Sequence, residues 1–182
     1  MNRDDALALL TSHVKNKNLV KHCLACEAIL GEMAPRFGGD VDTWRLAGLL
    51  HDVDYDQTAD SPETHAVIGA KVLAEAGIDG AIVHAVLGHN DKAARESALD
   101  KALWCVDPLS GLIVAAALIR PEKKLALIDA DFVLNRFKEK GFARGANRAQ
   151  IQACQQELGL SLPEFVDIGV KAMQEIAGDL GL

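Results

Sequence analysis

Residues 46–57 read LAGLLHDVDYDQ: helix-forming apolar residues run up to His51 and Asp52 side by side, and Asp54 and Asp56 follow at once. A helix heading into a core would not ordinarily end on an imidazole and a carboxylate. An ionised Asp left unpaired in apolar surroundings costs several kcal/mol, comparable with the whole stability margin of a domain. A cationic side chain, a metal or water has to compensate it.

Outward from this stretch, apolar residues recur at helical rather than alternating spacing, and Val, Ile and Thr never gather into bounded strand-like runs. The expected fold is all-α. Helix starts are read at Asp42, at Ser61-Pro62-Glu63, at Ser161 with Pro163 and Glu164, and at Asp79, Ser97 and Asp129; stops are read at Gly77, Gly141, Gly159 and Gly178. These signals predict helices near 4–16, 18–34, 42–52, 62–76, 79–89, 97–119, 130–140, 146–158 and 162–177. There is no internal repeat, and the weakest seam is RPEKK at Arg120–Lys124.

The chain has 182 residues, 49% hydrophobic but only 4% aromatic, which suits one cooperative unit with aliphatic helix packing. A net charge of −7 argues against a nucleic-acid polymer or an anionic membrane surface as partner, while a local basic pocket for a small anion stays compatible. No opening signal segment and no run near 18 apolar residues is read, even around GLIVAAALI, so a cytoplasmic location is expected. Cys23, Cys26, Cys105 and Cys154 are then reduced thiols. HCLAC does contain a C-x-x-C, but no second pair completes a zinc knuckle and no strand precedes it, so two core cysteines on a helix is the favoured account.

Several polar residues lie on faces that should be buried. His22 shares a stripe with Leu19, Cys26, Ile29, Leu30 and Met33, and His89 continues Ile78, Ile82, Ala85 and Val86. His65 precedes Ile68 and Val72, and Asp107 falls between Leu103 and Val114. His84 is rotated about 140° from His89, onto a face of small residues. Singly, each is accounted for as a hydrogen-bonded core residue. Together, four histidines and two aspartates on successive helices are N/O donors suited to Mn, Fe, Co, Zn, Ni or Mg. A divalent ion would offset the carboxylates and give each imidazole lone pair a partner.

At these residues the chain resembles the HD superfamily of metal-dependent phosphohydrolases, over about 18–120, in the order His22, His51-Asp52, Asp107. The resemblance implies a single HD-type helical bundle over 1–182, with C-terminal helices over about 121–182 like those of a bacterial group of small HD hydrolases. It implies one divalent metal on His22, His51, Asp52 and Asp107, and, in two-metal subgroups, a second on His65 and His89 with Asp52 bridging. Two departures stand out. Tyr55 occupies the place where many HD enzymes carry a phosphate-contacting Lys, and the paired histidines and Gly-Tyr-Pro signature of the cyclic di-GMP phosphodiesterases are missing.

The implied reaction is hydrolysis of a small phosphoester or phosphoanhydride, such as a nucleotide, by metal-activated water, with Asp52 and His84 as catalytic residues. Asp54 and Asp56 are read either as proton acceptors or, preferably, as turn and capping residues. Lys71, Lys92, Arg95, Arg144 and Arg148 are the candidate anion contacts. Two rivals share the ligand set: a di-iron oxygenase of the same fold, and an HD module that binds a nucleotide and signals through a partner.

Overall fold

The computed structural model describes residues 1–182 and contains helices only. In chain order these are α1 (Arg3–His13), α2 (Lys17–Met33), α3 (Val41–Leu50), α4 (Tyr55–Thr58), α5 (Val67–Glu75), α6 (Gly80–His89), α7 (Ala98–Leu118), α8 (Ala130–Phe137), α9 (Arg148–Gln152), α10 (Cys154–Leu158), α11 (Leu162–Glu175) and α12 (Ala177–Leu180). Short 3-10 turns occupy Ala34–Phe37 and Leu125–Leu127.

Asp79, Ser97, Asp129 and Ser161 cap α6, α7, α8 and α11 as their residue types require, and Ser97 exchanges side-chain bonds with Asp100 in a reciprocal capping box. For α3 the cap is Asp40 rather than Asp42. Asp40 Oδ1 accepts both the Thr43 amide, at 2.9 Å, and the Thr43 hydroxyl, at 2.7 Å, which leaves Asp42 inside the first turn. The helix expected over 62–76 begins only at Val67. Residues 62–66 turn instead, ending on Ala66 at φ 68°. The reason is tertiary: Asp54 Oδ2 accepts the Gly69 amide at 2.7 Å and so caps α5 from another segment, overriding Ser61-Pro62-Glu63.

The stretch 146–158 divides at Ala153, whose N–H is shared between the Ala149 and Gln150 carbonyls. Gly77 and Gly159 end their helices with positive φ, but Gly141 lies beyond the end of α8 and Gly178 inside α12, which closes on Gly181.

One core of 46 buried residues runs from Ala6 to Leu180. Its tightest seam is α2 against α3. A Cβ on Gly48 would lie 2.6 Å from the backbone of Cys26 and Glu27, so only glycine lets these two helices approach as they do. That approach sets His22 on α2 opposite the end of α3.

α7 runs through the centre of the core. By length and composition it could cross a membrane, contrary to the sequence expectation, but 56% of that apolar window is buried inside this fold. Pro108 stands within it and cannot donate to the Trp104 carbonyl four residues earlier. Gln150 Nε2 from α9 donates to that carbonyl instead, at 3.2 Å, which docks the C-terminal helices onto α7 beside Asp107. All four cysteines are buried free thiols.

Candidate metal centre

Five segments deliver six donors to one place. His22 comes from α2, His51 and Asp52 from the turn that ends α3, His65 from the turn before α5, His89 from the last residue of α6, and Asp107 from the middle of α7. At one end His22 Nε2 lies 3.1 Å from His51 Nε2, 3.1 Å from Asp107 Oδ1 and 3.7 Å from Asp52 Oδ2. His51 Nε2 is 3.5 Å from the same Asp52 oxygen. At the other end Asp52 Oδ1 faces His65 Nε2 at 3.3 Å and His89 Nε2 at 3.5 Å, and those two nitrogens are 3.3 Å apart. Asp52 thus presents one oxygen to each pair of imidazoles.

The opposite edge of every ring is fixed. His51 Nδ1 donates to the Gly48 carbonyl at 2.8 Å, and His89 Nδ1 to the Val86 carbonyl, each three residues back on its own helix. These carbonyls belong to final helical turns, where the helix leaves acceptors unpaired. Ser110 donates its hydroxyl to the Asp107 carbonyl and so accepts from His22 Nδ1, at 2.8 Å. Asp54 Oδ1 accepts from His65 Nδ1 at 3.0 Å. All four rings therefore carry a proton on Nδ1, and in the neutral state all four Nε2 lone pairs converge. Lone pairs 3.1–3.3 Å apart repel unless a cation lies among them. Two helix C-termini, of α3 and α6, also point their negative dipole ends here. The donor set fits a divalent metal.

The same surroundings that suit a cation shift the titrating groups. Burial alone would depress the His22 pKa, but its bond to Asp107 and the charges of Asp107 and Asp52 outweigh it and raise the value. For His65, bonds to Asp52 and Asp54 overcome burial and lift the pKa to about 9. Burial dominates at His51 and lowers its pKa. Asp52 and Asp107 titrate below the usual carboxylate range: burial opposes this, and the surrounding imidazoles prevail.

The remaining candidates are not gathered here. His84 Nδ1 pairs with the buried carboxylate of Asp100 at 3.1 Å. Lys71 is exposed and faces Glu75, Lys92 and Arg144 are exposed, and Arg95 pairs with Asp91 and lies over the Trp104 ring. Arg148 is a correction to the anion-contact reading, because its guanidinium is taken up by the carbonyls of Phe137, Phe142, Ala143 and Ala146. Tyr55 stands edge-on to His65, ring centres 5.2 Å apart.

Asp54 is fully buried and orients His65, a role that sequence reasoning missed; its close spacing after His51-Asp52 was the only signal. Asp56 accepts the Lys15 and Asn16 amides and ties down the α1–α2 link. Cys26 Sγ lies within 4.8 Å of the His22 and His51 donor atoms, and burial holds its thiol pKa well above the ordinary value.

Two clefts meet at His22 and Gly111. One, of about 390 Å³, is lined by Asn18, Lys21, Val114, Leu118 and Leu180–Leu182 among others. The second, of about 290 Å³, lies between His22, Asp107, Pro108 and Gly111 on one side and Ala143, Gly145 and Ala146 on the other.

An all-helical bundle holding a His, His-Asp, Asp constellation defines a class of metal-centred helical proteins. The HD domain family model matches residues 19–131, and the chain belongs to the HD domain family, whose members are in general metal-dependent phosphohydrolases that bind divalent ions. Among curated proteins it is similar to Ribonuclease Y of Nitratidesulfovibrio vulgaris (strain DP4), 33% identical over 98 residues, which is 53% of this chain and 18% of that protein. It is also similar to Ribonuclease Y of Geobacter sulfurreducens, 33% over 96 residues (53% and 18%), and of Lawsonia intracellularis, 30% over 115 residues (63% and 21%). The chain thus spans about a fifth of the length of these relatives. No solved structure matches the chain significantly.

Proposed function

We propose that this protein hydrolyses a phosphoester or phosphoanhydride bond of a small phosphorylated molecule such as a nucleotide, using two divalent ions bridged by Asp52. His22, His51, Asp52 and Asp107 would hold one ion, and His65, His89 and the other oxygen of Asp52 the second. The observation that carries this reading is Asp52 itself, whose two oxygens each face a separate pair of imidazole nitrogens with lone pairs free. Bound divalent metal supplies Lewis acidity, which makes water a usable nucleophile near neutral pH and polarises a phosphoryl oxygen.

The chain's own residues supply orientation and proton handling. Gly48, Val86, Ser110 and Asp54 fix the four rings, so that no donor has to rotate when substrate arrives. His84, steadied by Asp100, keeps a partly exposed imidazole outside the donor cluster, and proton transfer to the leaving group is not assigned to it. The relatives are named ribonucleases, and a phosphodiester is a substrate of the same chemical class. The net charge of −7 favours a small molecule over an RNA chain for this protein.

The test is metal analysis of protein purified without added metal, followed by a panel of nucleotides, small phosphoesters and an RNA oligomer, run with Mn, Co or Fe and with and without oxygen. Phosphate release that needs metal and not oxygen is the expected result. Less than about half an equivalent of metal after reconstitution would remove the reading. Turnover that stops in an anaerobic chamber and releases no phosphate would replace it with the oxygenase. His84→Ala should keep its metal, because the ring lies outside the donor cluster.

A further inference from the structure

The loop from Phe142 to Asn147, between α8 and α9, is organised from behind by Arg148. The guanidinium donates to Phe142 O at 2.5 Å, to Ala143 O at 2.5 Å and to Ala146 O at 2.8 Å. No peptide bond in the chain is cis. In a trans peptide a carbonyl aimed one way aims the next residue's N–H the other way. The amides of Ala143, Arg144 and Asn147 therefore face away from Arg148. None of the three donates to another group of the protein.

Ala143 sits at φ 42°, and an alternation into the left-handed region is what gathers successive backbone N–H groups around one concavity. The small residues of the loop face the metal centre across a cleft. Ala143, Gly145 and Ala146 line the cleft of about 290 Å³ whose far wall is His22, Asp107, Pro108 and Gly111, and the Arg144 and Asn147 amides belong to the peptide groups of Ala143 and Ala146 at its edge. The local charge agrees. In a chain of net charge −7, residues 136–148 carry Arg136, Lys138, Lys140, Arg144 and Arg148 against the single acid Glu139.

We propose that this loop is an anion cradle, in which the backbone amides of Ala143, Arg144 and Asn147 seat the phosphoryl group of the substrate across the cleft from His22 and Asp107. The inference rests on the phosphohydrolase reading and gives it a substrate-binding element. Backbone donors held from behind recognise the phosphoryl oxygens and leave the rest of the molecule unread. The substrate class is then a phosphate monoester or a terminal phosphoanhydride, presented phosphate first.

Inorganic phosphate is the probe. It is titrated into ¹⁵N-labelled protein, metal-free and loaded with diamagnetic Zn(II), while the amide resonances are followed. The three cradle amides should shift more than the rest of the chain in both forms.

Asn147 has φ −70°, which proline also adopts, and its side chain caps α9. Asn147→Ala removes the cap and keeps the N–H, whereas Asn147→Pro removes both. The proline variant should bind phosphate about tenfold more weakly than the alanine variant, with KM rising and kcat changing less. If Asn147→Pro does not fold, Arg148→Gln replaces it and should abolish the response of the Ala143 and Arg144 amides. Silent cradle amides in a protein that hydrolyses phosphoesters would overturn the cradle and leave the activity standing. Responsive amides in a metal-loaded protein that hydrolyses nothing on the panel would sustain the cradle and sink the hydrolase. Equal phosphate affinity in the two Asn147 variants would also overturn it.

Discussion

Asp54 shows how much of a metal centre is decided by residues that never touch metal. Its two oxygens are spent on His65 Nδ1 and on the Gly69 amide, so one carboxylate both orients a donor ring and starts the helix behind it. On the two-ion proposal, Asp54→Asn should weaken metal binding at the His65–His89 end by about 10–100-fold and leave the His22–Asp107 end unchanged, as titration with a chelating competitor would show. Proton linkage is the second expectation at this scale. With its pKa lifted to about 9, His65 holds a second ring proton at neutral pH before metal enters, and the carboxylates beside His22 push its pKa in the same direction. Metal uptake should therefore release protons, detectable as buffer-dependent heats, and should weaken as the pH falls. In the metal-free protein the sign for stability follows from the raised pKa of His65. Its contribution is full below the ordinary value near 6.5 and is lost as the pH rises through about 9.

At the scale of elements, two contacts set the geometry of the centre. The α2–α3 seam depends on Gly48, and Gly48→Ala should cost about 1–3 kcal/mol in denaturant unfolding, because the methyl meets backbone rather than a movable side chain. The same variant should bind metal more weakly, since His22 and His51 come from the two sides of that seam. The second contact is Gln150 with the Trp104 carbonyl that Pro108 leaves free. Gln150→Ala should lower stability by about 1 kcal/mol and loosen α9 from α7, measurable as faster amide exchange in the C-terminal helices.

For the molecule as a whole, the donors lie on five segments drawn from residues 22 to 107 and sit inside one core. Bound metal must therefore stabilise the entire fold and not one element. Saturating metal at about 1,000 times its Kd should add about 4 kcal/mol of stability, and chelation should lower the Tm by the corresponding amount in one cooperative transition. Separate melting of residues 121–182 would show that the C-terminal helices form their own unit.

The sequence by itself determined that the fold is helical, because apolar spacing and capping residues are local properties of the chain. His22, His51, His65, His89, Asp52 and Asp107 were legible for a related reason: a polar side chain on an apolar face, or at the end of a helix that heads into the core, must find a partner there. Other features were decided only by tertiary structure. The start of α5 passed from Ser61-Pro62-Glu63 to a cap 15 residues from Gly69, and Arg148 turned from a candidate anion contact into the post behind a loop. The division of Asp52 between two pairs of rings was implied by the resemblance, but the Nδ1 protons that aim those rings needed the packed structure. The cap on α5 and the Ser110 bond to His22 join segments far apart in the chain, and the short-range bonds, from Arg148 to its own loop and from His51 and His89 to carbonyls three residues back, depend on a backbone shape that apolar spacing does not record.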